Sequence, residues 1–176
     1  GKSYGTIVSN NSIHHIYSLT YGGWGLYTDE GSTGITMENN LVYACKSSGF
    51  HQHYGENNTI RNNIFAYNLL SQLQATRVED HNSFTFTNNI ICFNSGTLCS
   101  SKWDKIQFTS DSNCYWDERT KDILFGKQTF KEWQKSGNDI HSIIANPGFT
   151  DAKTFDFTLK NKAIAHKINF KPFDYN

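Results

Sequence analysis

The chain has 176 residues, enough for one sizeable hydrophobic core, and no polar low-complexity linker divides it. Its 16 basic residues balance its 16 acidic ones, so the net charge favours neither a nucleic acid nor an anionic membrane as partner. No stretch approaches the roughly 20 apolar residues that cross a bilayer. The start GKSYGTIVSNNS lacks the basic and apolar regions of a signal peptide, so we expect a soluble segment whose export signal lies outside it.

One pattern recurs along the first two thirds of the chain. It is a pair of asparagines between short apolar segments, in TIVSNNSI, ITMENNLV, TIRNNIFA and TFTNNIIC, with a degenerate copy ending at Asn113. Successive copies are 29, 23, 26 and 24 residues apart, which is the length of one β-helix turn plus short insertions. A leucine-rich horseshoe would need an LxxLxL signature, and a propeller would need a longer period. The pattern therefore predicts an all-β, right-handed parallel β-helix of about four to five coils.

The flanks of each asparagine pair predict how the strands face. The residues two before the pairs are Val8, Met37, Ile60 and Phe86. The residues that follow the pairs are Ser12, Leu41, Ile64 and Ile90. We expect both sets to face the interior, because their spacing is that of strands. Asparagine suits the corner because it tolerates left-handed backbone, and stacked copies are expected to form an amide ladder.

A second strand follows the corner in three of the coils, in WGLYTDEG, GFHQHYG and SQLQATR. Alternation predicts that the inward residues are Leu26, Thr28, Phe50, Gln52, Leu73 and Ala75. The outward residues are then Tyr27, Asp29, His51, His53, Gln74 and Thr76. Neighbouring coils lie about 4.8 Å apart, so these side chains should form one compact array. Its rim and the following loop contain Glu30, Tyr54, Arg77, Glu79, Asp80 and His81.

Such an array has the groups that glycan chemistry needs. A glycosidase uses two carboxyl groups about 5 to 9.5 Å apart, and we expect Asp29 or Glu30 to lie opposite Glu79 or Asp80 within that range. Exposed aromatic rings suit the apolar faces of sugars. Simpler interpretations remain open, because residues 29–32 also fit an acidic turn and Arg77 fits a plain salt bridge. His51 and His53 point the same way but lack an evident third ligand, so we predict no metal site.

The repeat fades after Asn113. TFKEWQKSG combines a capping box, Thr129 with Glu132, and a stop at Gly137, which predicts a short helix at about 129–136. The apolar segments that follow are expected to cover the open end of the solenoid. We therefore divide the chain into coils at 1–118 and a C-terminal capping segment with a short helix at 119–176. The start runs into a standard coil without a cap, so we expect further N-terminal coils in a longer parent protein.

The segments GGWGLYTDEGS, SSGFHQHYGENNTIRNNIFAYN, QLQATRVEDHNSFTFTNNI, FKEWQKSGNDIHSIIANPGF and INFKPFD resemble the C-terminal half of bacterial β-helix proteins of glycoside hydrolase family 141. The resemblance covers nearly the whole chain, and YTDEGS and GFHQHYG are specific to that group. It implies an exported enzyme, such as an α-L-fucosidase or xylanase, acting on plant cell-wall glycans. The matching positions are Asp29, Glu30, His51, Gln52, His53, Arg77, Glu79 and Asp80. The chain is much shorter than a full-length member.

The leading hypothesis is a glycoside hydrolase. Its catalytic candidates are Asp29, Glu30, Glu79 and Asp80. Its substrate-binding candidates are Tyr27, His51, Gln52, His53, Gln74 and Arg77. We expect an oligo- or polysaccharide substrate, no cofactor, and a secreted, periplasmic or cell-surface location. The alternatives are a lyase on uronate-containing glycan, with Ca²⁺ at the carboxylates, and a non-catalytic glycan-binding or structural solenoid.

Overall fold

The computed structural model describes residues 2–175, and three parallel sheets run along the axis of its β-helix. Sheet 1 contains the strands Ile7–Ser9, Thr36–Glu38, Asn58–Arg61, Phe84–Thr87 and Thr109–Asp111. Sheet 2 contains the strands Ser12–His14, Leu41–Tyr43, Ile64–Ala66, Ile90–Phe93, Cys114–Asp117 and Ile143–Ile144. Sheet 3 contains the strands Trp24–Thr28, Ser48–Gln52, Ser71–Ala75 and Thr97–Ser101. These sheets confirm the predicted right-handed solenoid, with about four turns.

The asparagine pairs form the corner between sheets 1 and 2, as predicted. The first asparagine of each pair is left-handed, with φ between 55° and 57° at Asn10, Asn39, Asn62 and Asn88. The second asparagines form the ladder, in which the side-chain oxygen of each accepts hydrogen bonds from the backbone and amide nitrogens of the previous one. Asn40 donates to Asn63 in this way at 3.0 Å. The remaining steps join Asn11 to Asn40, Asn63 to Asn89, and Asn89 to Asn113.

The residues after the pairs do not face the interior, so that part of the expectation is wrong. Leu41, Ile64 and Ile90 stack on the outer face of sheet 2, whereas their neighbours Val42 and Phe65 are in the central core. The left-handed corner residue interrupts the two-residue alternation of the strands. The second asparagine consequently points inward, and the residue after it points outward. The flank before the pairs does face inward, as Met37 and Ile60 illustrate.

One part of the C-terminal segment closes the end of the solenoid. A two-stranded antiparallel ribbon, Leu124–Phe125 with Gln128–Thr129, leads into helix α1 at Phe130–Lys135. Thr129 and Glu132 form the predicted capping box at the start of this helix. Phe125 and Trp133 are buried in the central core. The predicted helix and its position over the open end are therefore confirmed for this part.

The rest of the C-terminal segment lies along the side of the solenoid, whereas we expected it at the end. It consists of the ribbon Phe149–Asp151 with Asp156–Leu159, a 3-10 turn at Ala152–Thr154, and helix α2 at Ala163–Lys167. Phe157, Ile168 and Phe170 pack against the outer face of sheet 2. The physical reason is that both faces of sheet 2 are apolar, so the outer one also needs cover.

The asparagine ladder ends on a buried carboxylate. Asn113 donates its side-chain amide to Oδ1 of Asp139 at 3.0 Å, and Asp139 is only 1% exposed. The other side chains that donate to this carboxylate are Ser110, Tyr115, Trp133 and Ser142. A carboxylate accepts hydrogen bonds only, so it suits the end of a row in which every amide donates in the same direction.

Neither α1 nor α2 nor the 3-10 turn, which are the helical segments within residues 2–175, has the length or apolarity to cross a bilayer.

Candidate functional site

The outer face of sheet 3 brings the predicted site residues together. Tyr27, His51 and Gln74 are aligned on three adjacent strands, and Ser100 continues the row on the fourth. The predicted inward set is confirmed by the buried row of Leu26, Phe50 and Leu73 beneath it. Residues some two dozen positions apart therefore form one surface, as the repeat requires.

Three rings form an aromatic stack at the N-terminal end of this face. The ring of Tyr27 stacks on that of His51 with centroids 4.8 Å apart, and Trp24 lies 5.0 Å from Tyr27 and 4.6 Å from His51. The indole nitrogen of Trp24 donates a hydrogen bond to Oε1 of Gln74 at 2.6 Å. Tyr27 is 38% exposed, so the stack presents an aromatic surface to solvent. Surfaces of this kind contact ligands that have both apolar faces and polar edges.

Asp29 is tied to the aromatic stack. The hydroxyl of Tyr27 donates to Oδ1 of Asp29 at 2.9 Å. The backbone N–H of Glu30 and this hydroxyl together lower the pKa of Asp29, so the carboxylate is ionised near neutral pH. Burial, with the hydrogen bond to Asp29, raises the pKa of Tyr27 to about 12. Asp29 therefore suits the role of a base or of an acceptor for sugar hydroxyls, but not that of a proton donor.

Two further carboxylates meet at one guanidinium. Nη1 of Arg77 lies 3.3 Å from Oε1 of Glu30, and Nε of Arg77 lies 3.9 Å from Oε1 of Glu79. The guanidinium also lies 4.0 Å from the centre of the Tyr54 ring. The side chains of Glu30 and Arg77 are 62% and 47% exposed, so the ion pair between them contributes little to stability. Such pairs are free to exchange their partners for a ligand.

The two predicted histidines share one hydroxyl. Oγ1 of Thr76 lies 2.7 Å from Nε2 of His51 and 2.9 Å from Nδ1 of His53. Nε2 of His53 lies 3.7 Å from Oε1 of Glu30. His51 is fully buried within the aromatic stack although its ring faces outward. This burial lowers the pKa of His51 to about 4, so its ring is neutral near neutral pH.

Two predicted site residues are not part of this cluster. Gln52 faces the interior, is fully buried, and accepts a hydrogen bond from Thr28, so its side chain is not available to a substrate. Asp80 accepts a hydrogen bond from Gln107 at 2.8 Å, which directs it toward the next turn. The alternation rule already predicted an inward Gln52, and only the resemblance placed it among the binding residues.

A groove of about 340 Å³ extends the face beyond the predicted residues. Among the residues that line it are Tyr21, Trp24, Lys46, Gln74, Ser100 and Ser101. The ammonium of Lys46 donates to the carbonyl oxygens of Ser18 and Thr20, which ties down the loop that forms one wall. Tyr21, Lys46, Ser100 and Ser101 were not predicted. The sequence does contain a sign of this loop. The first two asparagine pairs are 29 residues apart, a longer spacing than the others, which indicates an insertion in the first turn.

Residues 2–175 contain no group of three or more His, Cys, Asp or Glu side chains placed to hold one metal ion.

Comparison with known proteins identifies one family. The family described as "Right handed beta helix region" matches residues 1–113, which include all four asparagine pairs and the whole aromatic stack. No curated protein matches the chain. No solved structure matches it either.

Proposed function

Because the chain belongs to the family of right-handed β-helix regions, we propose that it is a glycoside hydrolase whose site is the outer face of sheet 3. The fold suits carbohydrate-active and glycan-binding proteins. Three features of the face support a sugar ligand, namely the exposed aromatic stack, the adjacent groove and the nearby carboxylates. Aromatic rings contact the apolar faces of pyranoses, while amides and carboxylates accept hydrogen bonds from their hydroxyls.

The main support for a catalytic role is that Arg77 bridges Glu30 and Glu79. Each carboxylate has an oxygen within 4 Å of the same guanidinium, so the two oxygens are less than about 10 Å apart. Retaining glycosidases keep their two carboxyl groups about 5 to 5.5 Å apart and inverting ones about 6.5 to 9.5 Å apart, and both spacings lie within this limit. We therefore assign Glu30 and Glu79 as the acid and base pair, with Asp29 and Tyr27 as sugar-binding residues.

The plant cell wall is the proposed source of the substrate. This choice comes from the resemblance to glycoside hydrolase family 141, which implies α-L-fucosidase or xylanase activity. The same resemblance supports a protein that acts outside the cytoplasm.

The test uses Glu30→Gln and Glu79→Gln in the full-length protein, assayed on fucosylated oligosaccharides and xylo-oligosaccharides. Each change is expected to lower kcat by about 100-fold or more, because each removes one of the two groups that transfer protons. Glu56→Gln is the matched control, since Glu56 lies one turn from Glu30 and contacts Asn57 instead of Arg77. Circular dichroism checks that all three variants fold.

Three outcomes would contradict the proposal. Unchanged turnover in both variants removes the catalytic pair. An unsaturated product that absorbs ultraviolet light indicates a lyase, in which the base abstracts a proton from a uronate. Binding of the oligosaccharide by the wild type without any turnover indicates a glycan-binding solenoid.

A further inference from the structure

On the outer face of sheet 3, the hydroxyl of Thr76 lies next to the imidazole of His53, and the far side of that imidazole faces the carboxylate of Glu30. Oγ1 of Thr76 is 2.9 Å from Nδ1 of His53, and Nε2 of His53 is 3.7 Å from Oε1 of Glu30. The hydroxyl is also 2.7 Å from Nε2 of His51. Glu30, His53 and Thr76 come from three consecutive turns, so only the stacking of turns brings them together.

His51 determines the direction of the hydrogen bonds. Its Nδ1 is buried and has no hydrogen-bond partner among residues 2–175. A buried N–H without an acceptor costs about 1 to 3 kcal/mol, so the proton of the neutral ring belongs on Nε2. His51 then donates to Oγ1 of Thr76, and the hydroxyl of Thr76 donates to Nδ1 of His53. The second proton position of His53 is consequently Nε2, which faces Glu30.

The resulting order is hydroxyl, imidazole and carboxylate. This is the order in which hydrolases activate a hydroxyl nucleophile, with the imidazole as base and the carboxylate as the group that orients it. Nη1 of Arg77 lies 3.3 Å from the same oxygen of Glu30, so a positive charge stands beside the relay. The side chains of His53 and Glu30 are 29% and 62% exposed, which leaves the relay open to a ligand.

We propose that Thr76, His53 and Glu30 form an ester hydrolase site that removes acyl groups from a glycan. Acetyl esters of sugar hydroxyls are the expected substrate class, because the aromatic stack with its sugar-binding character adjoins the relay. The choice of a sugar ester rests on the proposed function. The hydroxyl, imidazole and carboxylate relay itself does not.

The reaction balances with water as the only co-reactant. Oγ1 of Thr76 attacks the acyl carbon while its proton passes to Nδ1 of His53. The bond between the acyl carbon and the sugar oxygen breaks, and His53 returns the proton to the departing sugar hydroxyl. Water then attacks the acyl ester on Thr76, and its proton passes to His53. His53 returns that proton to Oγ1 of Thr76 as the free carboxylic acid leaves.

The experiment measures acetate release from acetylated xylo-oligosaccharides and the hydrolysis of p-nitrophenyl acetate. Thr76→Val and His53→Gln are each expected to lower both rates by at least 100-fold, whereas Thr76→Ser keeps the hydroxyl and should retain at least a tenth of the rate. Thr85→Val is the matched control, because Thr85 is a half-buried threonine on sheet 1, away from the relay. A fluorophosphonate probe should add one label to the wild type and none to Thr76→Val.

Glu79→Gln distinguishes this proposal from the proposed glycosidase. It is expected to stop the cleavage of glycosidic bonds while acetate release continues, because Glu79 is outside the relay. The ester hydrolase is ruled out if the folded Thr76→Val variant releases acetate as fast as the wild type. It is equally ruled out if the wild type releases no more acetate than the substrate does without protein.

Discussion

The outer face of sheet 2 is covered by the C-terminal segment of the chain, whereas the outer face of sheet 3 carries an open groove. Both sheets are built by the same turns and stack in the same register. On sheet 2 the outer row is Leu41, Ile64 and Ile90, and Phe157 packs over it. On sheet 3 the corresponding outer row is Tyr27, His51 and Gln74. The stacking of turns therefore does not restrict which side chains lie on an outer face, and the residues of the outer row determine whether that face becomes a packing surface or a site.

The largest effect is expected at the asparagine ladder, which forms the corner between sheets 1 and 2 and ends on Asp139. Asp139→Asn replaces one of the two acceptor oxygens with an NH₂ group, which at the Oδ2 position faces the donors of Ser110 and Trp133. We expect the free energy of unfolding to fall by about 4 to 5 kcal/mol, since several buried donors lose their acceptor. Urea unfolding measures the change. Asp122→Asn, at an exposed position, is the control and should change stability by less than about 0.5 kcal/mol.

The next largest effect is expected at the covered face. Phe157 is 1% exposed and packs against Tyr43 and Phe149, with ring centroids 5.2 to 5.3 Å away. Phe157→Ala should lower the free energy of unfolding by about 3 to 4 kcal/mol, because the cavity lies between two packed layers. Phe155→Ala tests the same segment at a ring that is 37% exposed, and a loss near 1 kcal/mol is expected. Urea unfolding measures both variants, and an equal loss of unfolding free energy in Phe157→Ala and Phe155→Ala would contradict the assigned packing.

The buried histidine of the open face should make stability depend on pH. The pKa of His51 is about 4 in the folded protein and about 6.5 in the unfolded chain, so the unfolded chain binds the extra proton between these values. Stability contributed by the neutral ring is therefore present above about pH 6.5 and is lost as the pH falls toward 4, by about 3 kcal/mol. Urea unfolding between pH 4 and 7 should give a shallower slope for His51→Gln than for the wild type. His166→Gln, at an exposed position, should leave the slope unchanged.

The smallest effect on stability is expected at the aromatic stack. Tyr27→Ala should cost about 1 kcal/mol of unfolding free energy because the ring is partly exposed, yet it should weaken oligosaccharide binding about tenfold. Tyr27→Phe keeps the ring and removes only the hydrogen bond to Asp29, so it should retain most of the affinity. Isothermal titration calorimetry measures both variants, with Tyr17→Ala as an exposed control outside the stack. Equal affinity in Tyr27→Ala and wild type would contradict the assigned role of the ring.

Much of the array on sheet 3 could be predicted because it depends on a period and an alternation. Once Leu26 and Phe50 are placed inside, Tyr27 and His51 must face outward in neighbouring turns. The contacts within the array could not be predicted in the same way. That Asp80 turns to Gln107 while Glu79 turns to Arg77 depends on the path of a loop outside any repeat.

The solenoid, its corners and its capping helix follow from the sequence alone, since each depends on local rules of spacing, left-handed backbone or helix capping. The tertiary structure alone determines that residues 149–170 fold back to cover the outward-facing Leu41. It also decided that Asp139 ends the asparagine ladder. Both features bring together residues that are distant in the chain. The free energy of burial that stabilises them depends on how the whole chain packs, which local sequence rules do not describe.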